Sequence, residues 1–146
     1  MALSRYEVII VAVDGSDESR TAFKKSVEIA QEQQAKLIIS HVIDTRTFAT
    51  MERYDRTIIA RAEEYGNELL ENYTAEAENA GVPDVVSSLE FGSPKTKIPR
   101  ELAKNYEADL IITGATGLNA VERVFIGSVS EAIARHAKCD VLIVRK

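Results

Sequence analysis

Val8-Ile9-Ile10-Val11-Ala12-Val13, followed at once by Asp14-Gly15-Ser16, decides how this chain is read. An unbroken apolar, largely β-branched run describes a strand covered on both faces, the habit of parallel sheets. A strand with one wet face would alternate. The Asp-Gly-Ser triplet ends the run. Ser16 is a good N-cap, and Asp17 and Glu18 put negative charge in the first turn of a helix. Ala22, Phe23, Val27 and Ala30 then recur at helical spacing, to about Gln34. Leu37 to Ile43 is a second apolar strand.

Further along, the pattern is lost from Asp44 to Met51, which reads as a loop. Ile58, Ala62, Tyr65, Leu69, Tyr73, Ala77 and Ala80 follow at steps of three and four, predicting one face of a long helix. Gly81 suits its stop, and Pro83 bars continuation. Val85 to Phe91 alternates weakly, with Val85, Ser87, Leu89 and Phe91 on one side, and reads as an edge strand. Ile98, Leu102 and Tyr106 suggest a short helix, with Pro99 expected in its first turn or the helix starting later than Ser93 implies. Leu110 to Thr113 is a fourth strand. Val129, Ile133 and His136 mark one side of a fourth helix, and Val141 to Val144 is a fifth strand. Strands regularly separated by helices mean right-handed crossovers: an α/β fold with a parallel sheet between two helical layers.

The 146 residues fit a single domain spanning 1–146, without linker or repeat. A net charge of −5 disfavours nucleic acid and anionic membrane as partners, since both reward a basic surface. No apolar run is long enough to span a bilayer. Residues 1–7 carry no long apolar segment, so no secretion signal is expected and a cytoplasmic location is. A single cysteine, Cys139, excludes intramolecular disulfides and Cys-rich metal sites.

In an open parallel sheet, ligands bind beyond the carboxyl ends of the strands, where strand order reverses. The segment after the fourth strand is the most informative. Gly114-Ala115-Thr116-Gly117 is followed by Leu118 to Ile126, then by Gly127-Ser128-Val129-Ser130 opening the last helix. Three of the seven glycines are gathered here, at a strand end and a helix start, where backbone can approach a ligand closely. Gly127 precedes a helix N-terminus, whose unpaired amides and dipole favour an anion. Ser128 and Ser130 add hydroxyls. The arrangement reads as a phosphate cradle without a P-loop lysine.

Gly114-x2-Gly117-x9-Gly127-Ser128 resembles the nucleotide-binding signature of the universal stress protein family, in its ATP-binding branch. The opening VIIVAVDGSDESRTAF and the ending GSVSEAIARHAKCDVLIVRK are similar to that family's first and last elements, so the resemblance runs from about Tyr6 to Lys146. It implies a three-layer α/β/α sandwich with a five-stranded parallel sheet in the order 3-2-1-4-5, Rossmann-like and akin to adenine nucleotide alpha hydrolases. Carried over, it implies that Ala12 and Asp14 lie at the end of the first strand, with Asp14 on the ribose or adenine side, and that Val42 offers backbone groups to adenine. Gly114 would lie near the ribose, with Gly117, Gly127, Ser128, Val129 and Ser130 on the phosphates. Arg123, inside the nine-residue insert, either reaches a terminal phosphate or is a solvated loop arginine. ATP, or ADP or AMP in its place, is the implied cofactor, with Mg²⁺ or Mn²⁺; the metal's ligands are not legible. A nucleotide-dependent sensor or switch in stress response, acting on an unidentified protein partner, is the implied function.

A carboxylate repels phosphate, so Asp14 belongs at the sugar, the base or a metal. No catalytic residue is assigned. His41 reads as a strand residue, His136 as a helix-end cation and Cys139 as a packed thiol. Gly92-Ser93-Pro94-Lys95-Thr96 lacks the spacing of a P-loop. Efficient catalysis is not expected; slow, partner-stimulated ATP hydrolysis is one alternative, and a non-nucleotide interaction protein of the same fold is another. The apolar fifth strand is an edge in the implied order, and such edges are normally covered or paired. The expectation is a homodimer through Val141–Val144, with Arg145 and Lys146 guarding a monomer's edge as the alternative.

Overall fold

The computed structural model describes residues 5–47, 56–116 and 126–146. β1 (Val8–Ala12) leads to α1 (Asp17–Gln33), β2 (Lys36–Asp44) and a 3₁₀ turn (Thr45–Thr47). α2 (Arg56–Asn79) and β3 (Asp84–Gly92) follow. α3, residues 94–105, is α-helical at Pro94–Thr96, π-helical at Lys97–Leu102 and α-helical again at Ala103–Asn105. β4 (Leu110–Gly114), α4 (Ser128–His136) and β5 (Asp140–Val144) complete the chain. All strand pairings are parallel, in the order β3-β2-β1-β4-β5. The α/β architecture and strand order expected from the sequence are therefore observed.

Both faces of the sheet are buried, which is why its central strands are continuously apolar. Ile9, Val11, Leu37, Ile39, Leu110 and Ile112 face Phe23 and Ala30 of α1 and Leu70, Tyr73 and Ala77 of α2. Ile10, Ala12, Ile38 and Ile111 face Ile98 and Leu102 of α3 and Ile133 of α4. Each fully buried Ile or Leu contributes about 1.5–3 kcal/mol by leaving water. α1 and α2 are also clamped at their surface, where Arg20 lies over the stacked rings of Phe23 and Tyr73 and donates to Glu76 at 2.8 Å.

Four local expectations are corrected. The buried stripe of α2 is Gly66, Leu70, Tyr73 and Ala77, whereas Ile58 and Tyr65 are exposed. Gly66 lies against Leu89 and His41, so the helix rests on the sheet at a residue that hydropathy does not mark. Pro94, not Pro99, occupies the first turn of α3. Pro99 is buried inside the π-helical stretch, whose wider turn accommodates a residue that lacks an N–H and crowds the preceding carbonyls. His136 is exposed rather than aligned with the buried Ile133, and its Nδ1 lies 3.1 Å from the Arg100 guanidinium. The loop expected over 44–51 begins instead as the last residue of β2 and the 3₁₀ turn; residues 48–51 lie outside the described residues.

Candidate functional site

The order of strands reverses between β1 and β4, and the segments leaving these two strands share one crevice. On the β1 side, Asp14-Gly15-Ser16 is a tight Asx turn. Asp14 Oδ1 accepts from the Ser16 amide at 2.9 Å and from the Ser16 hydroxyl at 2.5 Å. Ser16 in turn caps α1, accepting from the Ser19 amide at 3.1 Å. The Asp14 amide donates to Ser19 Oγ at 3.2 Å. Gly15 has φ +86°, and a Cβ there would sit 1.9 Å from the Tyr65 hydroxyl, so the turn requires glycine on two counts. The half-buried Asp14 carboxylate is thereby held by its Oδ1.

On the β4 side, Gly114 packs against the first turn of α1, where a Cβ would lie 2.9 Å from the Glu18 carbonyl oxygen. The Ala115 amide donates to Val144 and the Gly127 amide to Ala115, at 2.9 and 2.7 Å. Ala115 and Gly127 are thus joined at the mouth of the crevice. Gly127 is the N-cap of α4, in an extended conformation and without a side-chain cap. The first helical bond of α4 is Glu131 N–H to the Gly127 carbonyl at 2.9 Å, so the amides of Ser128, Val129 and Ser130 precede the ladder.

The two helix tips differ in charge. The start of α1 carries Asp17 and Glu18 with Asp14 just before it. The first turn of α4 is uncharged up to Glu131, which is paired with Arg135 at 2.6 Å. An anion entering this crevice is repelled from α1 and drawn to α4.

The residues expected at the site fall as follows. Ala12 is the last residue of β1, Asp14 stands in the following turn and Gly114 ends β4. Val42 lies near the end of β2, half-buried. Ser128 is exposed at the first turn of α4, and Val129 is half-buried behind it. Ser130 is buried, and its hydroxyl donates to the Gly114 carbonyl, so it ties α4 to β4. Gly117 and Arg123 lie outside the described residues.

Among residues given no binding role from the sequence, His41 is buried with Nδ1 2.8 Å from the Val13 carbonyl. Asp44 accepts from Arg46 Nη2 at 2.8 Å, and this guanidinium holds its carboxyl below the usual range. Burial pushes the half-buried Cys139 thiol up, consistent with a packed group. Among the described residues no three His, Cys, Asp or Glu side chains gather to hold a metal, and no helix is long and apolar enough to cross a membrane.

Comparison with known proteins bears out the resemblance. Residues 5–145 match the family described as the universal stress protein family. A putative universal stress protein of Staphylococcus saprophyticus is 51% identical over 140 residues, 96% of this chain and 84% of the relative. The structure of universal stress protein UspA from Lactobacillus plantarum superimposes with a TM-score of 0.83 at 29% identity, covering 98% of this chain and all of the other. A universal stress protein crystallised in complex with cAMP superimposes with a TM-score of 0.73 at 30% identity, over 97% and 98% of the two chains.

Proposed function

Because the chain belongs to the universal stress protein family, we propose that it binds an adenine nucleotide, ATP with Mg²⁺ or Mn²⁺, in the crevice between β1 and β4. The observation that carries this reading is the contrast between the helix starts that follow β4 and β1: one at Gly127 with no side-chain cap, the other preceded by a turn that fixes the Asp14 carboxylate. One end suits phosphates and the other suits hydroxyls or a base. The cAMP complex of a similar structure supports the adenylate class.

In this reading the amides of Ser128, Val129 and Ser130 take the phosphates, together with Gly117 and the Ser128 hydroxyl. Arg123 reaches a terminal phosphate. Gly114 lies near the ribose, Asp14 bonds the ribose or base, and Val42 offers backbone groups to the adenine, with Ala12 at the end of β1 beside them. A divalent cation comes in with the phosphate oxygens, as Mg²⁺ commonly does. Three or four charge-assisted bonds contribute about 1.5–3 kcal/mol each. Lost rigid-body freedom costs on the order of 4–15 kcal/mol. Burial of the base against β1 and β2 supplies the rest, so bare pyrophosphate binds poorly.

The chain acts as a cytoplasmic, nucleotide-dependent switch in stress response. Nucleotide bound at Gly127 orders the insert that follows β4 and changes the surface presented to a protein partner. Two copies pair antiparallel through the edge strand β5. Titration with ATP, ADP and AMP, with and without Mg²⁺, tests the binding: saturable heat with ATP is expected, and its absence for all three rejects this function.

A further inference from the structure

We propose that His41 is a positioning residue which keeps the backbone amide of Val42 available to the bound base. The inference rests on the nucleotide reading above. It starts from the way the β1–β2 ladder ends. The register pairs Ala12 with Ser40 as its last rung, and the Val13 amide donates to the Ser40 carbonyl at 2.9 Å. The peptide groups of Ser40 therefore point toward β1. In a strand these directions alternate, so those of His41 point toward β3 and those of Val42 again toward β1.

Continued by one step, the ladder would join the Val42 amide to the Val13 carbonyl. That rung is not made; the pairing stops at Ala12. The Val13 carbonyl is taken instead by the His41 side chain, 2.8 Å away at Nδ1. A carbonyl only accepts, so Nδ1 carries the hydrogen and donates it. Val42 is left with its amide facing the side on which β1 has ended, at the carboxyl end of the sheet, next to the crevice.

The ring is held for this task by α2. Gly66 brings the helix so close that a Cβ would lie 2.9 Å from His41 Cδ2. Tyr65 meets the same ring edge-on, with centroids 6.3 Å apart at 68°, and its hydroxyl lies over Gly15. A buried imidazole reaching across to a neighbouring strand's carbonyl is a specific arrangement, not a side effect of packing. A leucine would fill the same space and leave the Val13 carbonyl to recruit the nearest amide.

The test uses the full chain with His41→Leu and His41→Asn. Asparagine places an N–H close to where Nδ1 stands; leucine has none. The first readout is amide hydrogen exchange of the nucleotide-free protein. Val42 is expected to exchange rapidly in the wild type and His41→Asn, and about five- to tenfold more slowly in His41→Leu, where the extra rung forms. The second readout is ATP affinity. His41→Leu is expected to bind about five- to tenfold more weakly, and His41→Asn within about twofold of wild type. His41→Val replaces His41→Leu if the latter does not fold. Unchanged Val42 exchange, or equal ATP affinity in the leucine and wild-type proteins, overturns the role of His41 while leaving nucleotide binding intact. A wild type that binds no adenine nucleotide overturns both.

Discussion

The backbone amide of Gly127 donates to the carbonyl of Ala115 at 2.7 Å, fastening the start of α4 to the end of β4. Thr116 and Ile126, the described residues next along the chain on either side, are thereby brought near one another beside the uncapped helix tip. In the proposed binding mode a phosphate at that tip lies next to the ends of the nine-residue insert. This joins nucleotide occupancy to the insert's conformation, and protection of residues 118–126 from protease is expected to rise when ATP is added. Digestion at the same rate with and without ATP would separate the two.

Gly127→Arg is expected to abolish binding. Gly127 has φ −64° and ψ 158°, which any residue adopts, so the substitution leaves the backbone unstrained. The added side chain occupies the place of the phosphates and removes two or more charge-assisted bonds, about a hundredfold or more in affinity. Calorimetry reads the loss, and circular dichroism melts within a few degrees of wild type show that the fold stands.

Ser16→Ala removes the cap of α1 and the hydroxyl contact to Asp14 Oδ1, leaving the Ser16 amide as the remaining donor to that oxygen. The stability loss is expected to be about 1 kcal/mol. Nucleotide affinity is expected to fall as well, because the carboxylate is held by one hydrogen bond instead of two. Denaturant unfolding and titration measure the two effects separately; a loss of stability alone would show that Asp14 keeps its place without Ser16.

Asp44 supplies a pH dependence with a definite sign. Its carboxyl is lowered by the hydrogen-bonded Arg46 guanidinium, so the folded state favours the ionised form. The stabilisation is complete above the ordinary carboxylate range near 3.8 and is lost as pH falls through the lower folded value. The pair is partly exposed, which limits it to under about 1 kcal/mol. Asp44→Asn is therefore expected to be slightly less stable than wild type at pH 6, with the difference vanishing as pH falls below the lowered carboxyl value. A constant difference across that window would mean that the ion pair is not its source.

Among the described residues β5 pairs only with β4; Asp140 is exposed and Val141–Val144 are half-buried. If two copies join there, the wild type sediments at twice the 16.1 kDa of one chain. Ile143→Lys, which sets two like charges close across the two-fold axis, is expected to give monomers. An unchanged sedimentation coefficient would place the subunit contact elsewhere or show the wild type to be monomeric.

The strands were legible in the sequence because burial on both faces leaves no polar alternation in Val8–Val13 or Leu37–Ile43, and Asp-Gly-Ser admits little besides a turn. What escaped was written in residues that hydropathy ignores. Gly66, where α2 touches the sheet, carries no apolar signal, and the periodicity pointed to Tyr65 beside it, which is exposed. Pro99 suits the first turn of an α-helix, or one starting later than Ser93 implies; the π-helical stretch instead admits it further in. Spacing placed Asp14 just after β1, Gly114 at the end of β4 and Gly127 at the start of α4, where the structure has them. It gave no sign that the Ser130 hydroxyl is committed to the Gly114 carbonyl or that His41 reaches Val13, since both are contacts between distant segments.

Crystals grown with excess Mg²⁺ and ATP offer the decisive observation. Density for the phosphates against the amides of Ser128 to Ser130, with the adenine beside Val42, is expected. A crevice that stays empty at saturating ATP, or one closed by the protein's own side chains, would contradict nucleotide binding by this chain.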